Sequence, residues 1–321
     1  MSITQKNLFL TLLFTLLVIA MGAYTRLSDA GIGCPDWPGC YGQLSVPTSN
    51  AEITQAEAQY PDASPVISEK AWPEMIHRYL AGSLGIAVVI IALFNLYHKQ
   101  RVWVSSLLIL VIIFQALLGL WTVTLKLHPL VVLLHLFGGY TIASLLLLLL
   151  LGKRRGRSMV DKWAYSILGI IILQIFFGAW TSANYAALIC PDFPYCQGQL
   201  IPPLSFANAF NIFLPLNQNY EFGILGNISR VTIHLSHRYF AIITAFGIIS
   251  VLVYAYYQKT APKHIIFIVA LVLTLQAALG IMNIIYLLPK SIAVAHNLCG
   301  LLLLLSWIWL LHSLLDNTSK Q

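Results

Sequence analysis

The sequence predicts an all-α membrane protein with eight transmembrane helices, arranged as two tandem four-helix bundles related by a pseudo-twofold axis along the membrane normal. Three observations lead to this fold class: an apolar composition, eight long apolar stretches and an internal repeat. The chain is 59% hydrophobic and only 9% charged, whereas soluble domains carry about 25% charged residues. Most side chains are therefore expected to face lipid or other apolar helices.

Each apolar stretch is about 20 residues long, which is enough to cross a hydrocarbon core about 30 Å thick. Because backbone polar groups need internal partners in lipid, the stretches are predicted to be helices. No small-residue cleavage site follows the short segment Met1–Asn7, so we expect the first helix to be retained. The predicted spans are Leu8–Leu27, Glu74–Tyr97, Val102–Leu125, Pro129–Leu151, Lys162–Ala183, Val231–Tyr257, His264–Leu287 and Lys290–Leu315.

The distribution of Lys and Arg predicts the orientation of these helices. One set of loops holds 11 of the 18 basic residues, and the opposite side holds all acids except Asp161 and Asp316. Both termini are therefore predicted to be cytoplasmic in a bacterial inner membrane, with the long connections Ser28–Pro73 and Asn184–Arg230 outside. The net charge of +7 reflects this topology rather than nucleic-acid binding. The 11 basic residues on the predicted cytoplasmic side are Lys6, Lys99, Arg101, Lys153, Arg154, Arg155, Arg157, Lys162, Lys259, Lys263 and Lys320.

An internal repeat divides the chain into two halves of four spans. Five landmarks recur in the same order, and their offset drifts only from 156 to 161 residues. A duplication with a few loop insertions explains this drift, and it predicts domains 1–158 and 159–321 facing the same way. The landmarks are Gly22-Ala-Tyr-Thr25 with Gly178-Ala-Trp-Thr181, CPDWPGCYGQL from Cys34 with CPDFPYCQGQL from Cys190, His77-Arg78-Tyr79 with His237-Arg238-Tyr239, Gln115-Ala-Leu-Leu-Gly119 with Gln276-Ala-Ala-Leu-Gly280, and His135 with His296.

Four histidines occupy repeat-related positions inside apolar helices, at comparable predicted depth near the outer face: His77, His135, His237 and His296. Ionisable residues within a membrane are rare and mark functional sites by default. Interhelical hydrogen bonding would explain one histidine about as well, but it explains four matched ones poorly. The other histidines, such as His98 and His264 beside lysines, are assigned no function.

Two imidazoles on facing helices suit the axial positions of a haem iron, whereas zinc sites usually add Cys or carboxylate ligands. Nearby glycines, such as Gly82, Gly138, Gly139 and Gly300, are expected to let a flat ring approach the backbone. Three arginines at the same level are candidate partners of haem propionates, although snorkelling to the interface explains each equally well. They are Arg26, Arg78 and Arg238.

The two halves differ three residues before the first histidine of each pair. Glu74 precedes His77, and His234 occupies the matching position before His237. A helix start at Pro73 and Glu74, with the acid favoured by the helix dipole, is one interpretation. The second half, however, begins its helix without an acid. This asymmetry favours a chemical role for Glu74, and it leaves His234 as a third candidate ligand beside the cofactor.

Each long connection holds two cysteines six positions apart, Cys34 with Cys40 and Cys190 with Cys196. The periplasm permits disulfides, which favours one disulfide per loop over a thiol-exchange relay. The spacing does not match a zinc ribbon or a haem-attachment motif. Cys299 has no counterpart and is expected to be a helix-packing residue.

These motifs resemble the haem A synthase family. The resemblance rests on GAYTRLSDAGIGCPDWPGCYG, on Glu74-Met-Ile-His77-Arg78, and on His135, His237-Arg238 and His296. It extends from about Met21 to Gly300. It implies an oxidoreductase that converts the C8 methyl of haem O to a formyl group, giving haem A for cytochrome oxidase. Haem O synthase and a second copy of the chain are further expected partners.

The resemblance also implies separate roles for the two halves. His237 and His296 are expected to hold a haem b cofactor, and His77 and His135 are expected to lie near the iron of the substrate haem. Glu74 matches the family's essential carboxylate, and Cys34 with Cys40 matches its disulfide. We hypothesise that Glu74 acts as a general base near the C8 methyl, through two hydroxylations and loss of water.

Two other functions fit parts of the sequence. A dihaem membrane cytochrome, carrying electrons between quinone and a periplasmic partner, fits the composition, the helices and the four histidines equally well. It gives no reason for the unmatched Glu74. A transporter with parallel repeats does not need matched histidines.

Overall fold

The structure, a computed structural model, describes residues 3–152 and 160–314. Eight of the described helices are long and apolar enough to cross a membrane, which confirms the predicted all-helical membrane architecture. They are α1 (Ile3–Leu27), α3 (Ser68–Tyr97), α4 (Val102–Thr124), α5 (Pro129–Leu151), α6 (Asp161–Ala183), α8 (Asn227–Tyr257), α9 (Lys263–Ile285) and α10 (Lys290–Ser313). Six residues of the orientation argument lie outside the described residues, so the orientation stays a prediction: Lys153, Arg154, Arg155, Arg157, Asp316 and Lys320.

Helix α3 begins six residues before the predicted start at Glu74, and α8 begins at Asn227 rather than Val231. Hydropathy marks where apolar side chains begin, whereas helical backbone bonding continues through the polar residues before them. At 1.5 Å per residue, the additional segment of α3 is about 9 Å long. Glu74 is therefore not in the first turn, and its interpretation as a helix-start residue is wrong.

The chain forms two compact units. The first unit contains Met1–Leu149 together with Ile212–Ile224, and in it α3 packs against α1 and α4. The second unit contains Leu150–Asn211 and Leu225–Gln321, and in it α6 packs against α8 and α10, and α9 packs against α10. The division into domains 1–158 and 159–321 and the axis relating them stay predictions.

The long connections contain structure that hydropathy did not reveal. The first contains α2 (Asn50–Gln59), whose amino terminus is closed by a capping box between Ser49 and Glu52. The second contains the short helix α7 (Phe206–Ala209). Both predicted loop disulfides, Cys34–Cys40 and Cys190–Cys196, are present, and Cys299 is a buried free cysteine, as its packing role requires.

One segment of the second connection, Ile212–Ile224, packs within the first unit. Its Tyr220 donates a backbone hydrogen bond to the Lys126 carbonyl at 3.0 Å. The ring of His128 packs edge-on against Tyr220, and its Nε2 lies 3.3 Å from the Leu214 carbonyl. His128, assigned no function from the sequence, is therefore a buried packing residue under this segment.

Candidate functional site

The four matched histidines form two pairs with nearly the same geometry. His77 on α3 and His135 on α5 have ring centroids 6.4 Å apart, with their planes at 80°. His237 on α8 and His296 on α10 also have centroids 6.4 Å apart, with their planes at 90°. The structure therefore brings each predicted ligand pair together within its own unit. We call them the first and the second histidine pair.

The spacing of each pair fits two axial ligands of one metal ion. With metal–imidazole bonds of about 2 Å, as in zinc sites, rings on opposite sides of one ion have centroids roughly 6 Å apart. The buried Nδ1 atoms of His77, His135 and His296 have no hydrogen-bond partner. Within residues 3–152 and 160–314, no group of three or more His, Cys, Asp or Glu forms a metal cluster. Both pairs thus fit haem as two-histidine sites.

Each histidine ring lies against a glycine. A Cβ atom on Gly22 would lie 2.8 Å from Cε1 of His77, and one on Gly178 would lie 2.9 Å from Cε1 of His237. Real Cβ atoms essentially never lie this close to another atom, so any larger residue at Gly22 or Gly178 would have to displace the histidine ring. Gly119 and Gly280 similarly face His135 and His296, at 3.6 and 3.1 Å.

The glycines that contact the histidine rings are not the ones named from the sequence, and an approach of haem to Gly82, Gly138, Gly139 and Gly300 stays a prediction. A Cβ on Gly138 would meet the side chain of Gln115, and one on Gly82 would meet nothing within 4 Å. The prediction used glycines close in sequence to each histidine, whereas the contacting glycines lie on the neighbouring helices. The repeat landmarks contained the useful signal, because all four contacting glycines belong to them.

Glu74 is buried, with only 4% of its surface exposed. Its Oε1 accepts a hydrogen bond from Nη2 of Arg78 at 2.6 Å, and its Oε2 accepts one from the Cys34 backbone N–H at 2.9 Å. Arg78 Nη1 donates to the Asp36 carbonyl at 2.9 Å. The carboxylate therefore connects α3 to the disulfide loop of the first unit.

The second unit anchors its disulfide loop without a carboxylate at this position. Arg238 Nη2 donates directly to the Cys190 carbonyl at 2.7 Å, and its Nη1 donates to the Asp192 carbonyl at 3.0 Å. His234 is buried, and its Nδ1 lies 2.8 Å from the Ala186 carbonyl, which fixes Nδ1 as a donor. That bond leaves only Nε2 of His234 for any other partner.

Both loop-binding arginines thus contact backbone carbonyls of the disulfide loops. Arg26, by contrast, has its Nη1 4.0 Å from Asp29. Whether any of these guanidinium groups also binds a haem propionate stays a prediction. The sequence contained no sign of the loop contacts, because they join residues about 40 positions apart, such as Arg78 and Asp36.

Glutamines beside the histidines were missed as site residues. Gln174 on α6 places Nε2 3.0 Å from Nδ1 of His237 and 3.2 Å from the His237 carbonyl. Gln276 places Nε2 3.3 Å from Nε2 of His296, and Gln115 donates to the His135 carbonyl at 2.8 Å. Gln115 and Gln276 were part of the repeat, but Gln174 could have been found only as a polar residue in an apolar span.

Comparisons with known proteins agree with this geometry. Residues 5–308 match the COX15-CtaA family model, described as "Cytochrome oxidase assembly protein". The chain is 45% identical over 320 residues to the "Heme A synthase" of Shewanella oneidensis, covering 97% of this chain and 96% of that protein. It is 24% identical over 321 residues to the "Heme A synthase" of Caulobacter vibrioides, covering 90% of each.

Proposed function

The chain belongs to the COX15-CtaA family of cytochrome oxidase assembly proteins, and we propose that it is a haem A synthase that oxidises the C8 methyl of haem O to a formyl group. Its similarity to a protein of that name over nearly the whole chain supports this activity over electron carriage alone. The observation that carries the proposal is the pair of matched histidine sites, only one of which has a buried carboxylate three residues away.

We propose that the first histidine pair binds the substrate haem. His77 and His135 lie on different helices with ring centroids 6.4 Å apart, a spacing at which both rings could hold the iron of one haem. Glu74 lies one helical turn from His77 on the same helix. Residues three apart share a helix face, which places the carboxylate on the side of α3 that carries the ligand.

Glu74 would act as the general base. The carboxylate accepts hydrogen bonds from Arg78 and from the backbone N–H groups of Cys34 and Gly33, and an ionised carboxylate has about four lone-pair sites. One lone-pair site is therefore left to take a proton from water or from the hydroxylated methyl group. The bonds from Arg78 and Cys34 hold the carboxylate in one direction, which is what a positioned base requires.

The second histidine pair would hold haem b, with His237 and His296 as the ligands of its iron. When bound there, this group supplies one-electron transfer to or from the substrate site. The protein would hold both histidine rings in place and keep water away from the haem. The many buried residues of α8 and α10 support this role. Arg26, Arg78 and Arg238 are proposed to stabilise haem propionates.

The location follows from the same proposal. Eight apolar helices in the described part of the chain make this a multi-pass membrane protein, and we propose the bacterial inner membrane, with cytoplasmic termini and periplasmic disulfide loops. Haem O synthase would deliver the substrate, and a second copy of the chain is a further candidate partner.

The experiment is haem extraction from membranes of cells that make haem O but no haem A. We expect haem A to appear when the chain is expressed. Glu74→Gln should lower its formation by about 100- to 10,000-fold, the usual contribution of a general base. Glu69→Gln, an exposed acid on the same helix, is the matched control and should leave the yield unchanged.

Bound haem b without any haem A would instead indicate the electron carrier. Normal haem A formation by Glu74→Gln would contradict the proposed base while leaving the activity itself in place.

A further inference from the structure

Both disulfide loops contain a tight turn that is followed by an exposed leucine. In the first loop the turn spans Cys40–Gln43, and the second loop repeats it 156 residues later. Of the leucine that follows each turn, 83% of Leu44 and 54% of Leu200 is exposed. The repeat-related Trp37 and Phe193 are exposed as well. Apolar side chains grouped on a surface mark a contact with another protein or with a membrane.

A tyrosine of the helix beneath each loop fixes the position of this apolar tip. The hydroxyl of Tyr79 on α3 donates a hydrogen bond to the Leu44 carbonyl. The hydroxyl of Tyr239 on α8 donates to the Leu200 carbonyl in the same way. Both tyrosines are themselves exposed. Each tip therefore lies against an outward-facing part of its helix, beside a tyrosine.

The two tyrosines stand at the outer ends of uncharged helix segments. Residues 79–97 of α3 and residues 239–257 of α8 contain no charged side chain. At 1.5 Å per residue each segment is about 28 Å long, close to the thickness of about 30 Å of a hydrocarbon core. Tyrosine and tryptophan are enriched at the edges of that core. The loop tips therefore lie level with the outer edge of the hydrocarbon.

The backbone of each tip is satisfied within the protein. In the first loop, the N–H groups of residues 40–43 all donate to acceptors of the same loop. Residues 196–199 do the same in the second loop. The Leu44 and Leu200 carbonyls accept from the tyrosines. A turn in water can leave these groups to solvent, whereas contact with lipid requires internal partners.

We propose that both loop tips are inserted into the outer leaflet of the bilayer, with Leu44 and Leu200 against acyl chains and Trp37 at the interface. Lipid is the partner that fits, because the exposed apolar side chains coincide with the hydrocarbon edge and with a backbone that needs no water. The membrane would then hold each disulfide loop against its helix. The first of these loops also binds Glu74, through the Cys34 N–H.

The test places a spin label at each tip of the full-length protein in vesicles of phosphatidylcholine and phosphatidylglycerol. Leu44→Cys and Leu200→Cys carry the label, since the native cysteines are in disulfides or buried. Thr54→Cys, at an exposed position of the polar helix α2 in the first connection, is the matched control. Power saturation compares relaxation by oxygen, which concentrates in lipid, with relaxation by a water-soluble nickel chelate. We expect oxygen to exceed nickel several-fold at both tips, and nickel to exceed oxygen at the control.

Fluorescence of Trp37 gives a second measurement that needs no new cysteine. It keeps the inference testable if a labelled variant does not fold. Vesicles whose phospholipids carry bromine near the top of the acyl chains should quench the part of the emission that Trp37→Phe removes. The phenylalanine keeps an aromatic side chain at this position, as the second loop has at Phe193.

Tip labels that are relaxed mainly by nickel would place the tips in water and overturn the inference. Labels that neither reagent reaches would show that protein, such as a second copy of the chain, covers the tips, and this would overturn it too. Emission from Trp37 that brominated lipid leaves unchanged would overturn it even without a folded labelled variant.

Discussion

The disulfide loops of the two halves are built alike, but they are joined to the helix beneath them differently. In each loop an aspartate accepts two backbone hydrogen bonds that close the turn: Asp36 from Tyr41 and Gly42, and Asp192 from Gln197 and Gly198. In each unit an arginine donates to loop carbonyls. Only the first loop is also bound by a carboxylate, that of Glu74.

The second loop shows that a carboxylate is not needed to anchor a disulfide loop to the helix beneath it. The second loop is held by Arg238, which reaches the Cys190 carbonyl directly, and by other uncharged groups of α8 such as the Tyr239 hydroxyl, which donates to the Leu200 carbonyl. A loop of this construction can therefore be anchored without an acid at the position of Glu74. A buried carboxylate is costly to retain, so its presence in one half favours the chemical role that we propose for it.

The largest expected effect separates the two histidine pairs. His237→Ala with His296→Ala should remove haem b from the purified protein, because both axial ligands are lost. His77→Ala with His135→Ala should retain haem b but lower haem A formation by more than about 100-fold, since changes to outer partners alone already cost roughly 10- to 100-fold. Optical spectra and haem extraction give the two measurements. The opposite pattern would reverse the assignment of cofactor and substrate halves.

An intermediate effect compares the two arginines. Arg78→Met should destabilise the protein by about 3–5 kcal/mol, because it leaves the buried carboxylate of Glu74 without its cation. Arg238→Met leaves backbone carbonyls unpaired and removes a cation near Asp192, but it leaves no buried carboxylate without its cation, and it should cost about 1–3 kcal/mol. Methionine keeps the apolar length of the side chain in both variants. Thermal unfolding in detergent measures the difference, and equal losses would mean that the ion pair adds nothing to the loop contacts.

The smallest expected effect concerns the second loop and pH. Backbone N–H groups, first that of Gly198 and then that of Gln197, hold the pKa of Asp192 below its ordinary value, with Arg238 adding to the effect. A lowered pKa stabilises the folded state above the unfolded pKa, and this contribution disappears as pH falls through the folded pKa. Asp192→Asn should therefore lower the unfolding temperature slightly at neutral pH.

At acidic pH the same variant should unfold at nearly the wild-type temperature. Asp62→Asn, an exposed aspartate in the first long connection, serves as its control. A deficit in Asp192→Asn that is equally large at both pH values would show that the charge of this side chain does not matter.

Much of the site was predictable from the sequence because the repeat presents it twice. The histidine pairs, the disulfides and the asymmetry at Glu74 all follow from aligning one half with the other. The start of α3 was not predictable, because the backbone continues as a helix through polar residues such as Glu69 that hydropathy excludes. The glycines that contact the histidine rings were not identified from the sequence, because they are far from the histidines along the chain and lie on neighbouring helices.

The sequence by itself determined the number of membrane helices and the repeat, because apolar length and matched motifs are properties of the chain alone. Tertiary structure alone decided which groups meet: Glu74 with Cys34 of the loop, Gly22 with His77, and Gln174 with His237. Each of these contacts joins residues about 40 or more positions apart. Such contacts depend on the rotation and the distance of two helices relative to each other, which cannot be predicted from a local pattern of residue types.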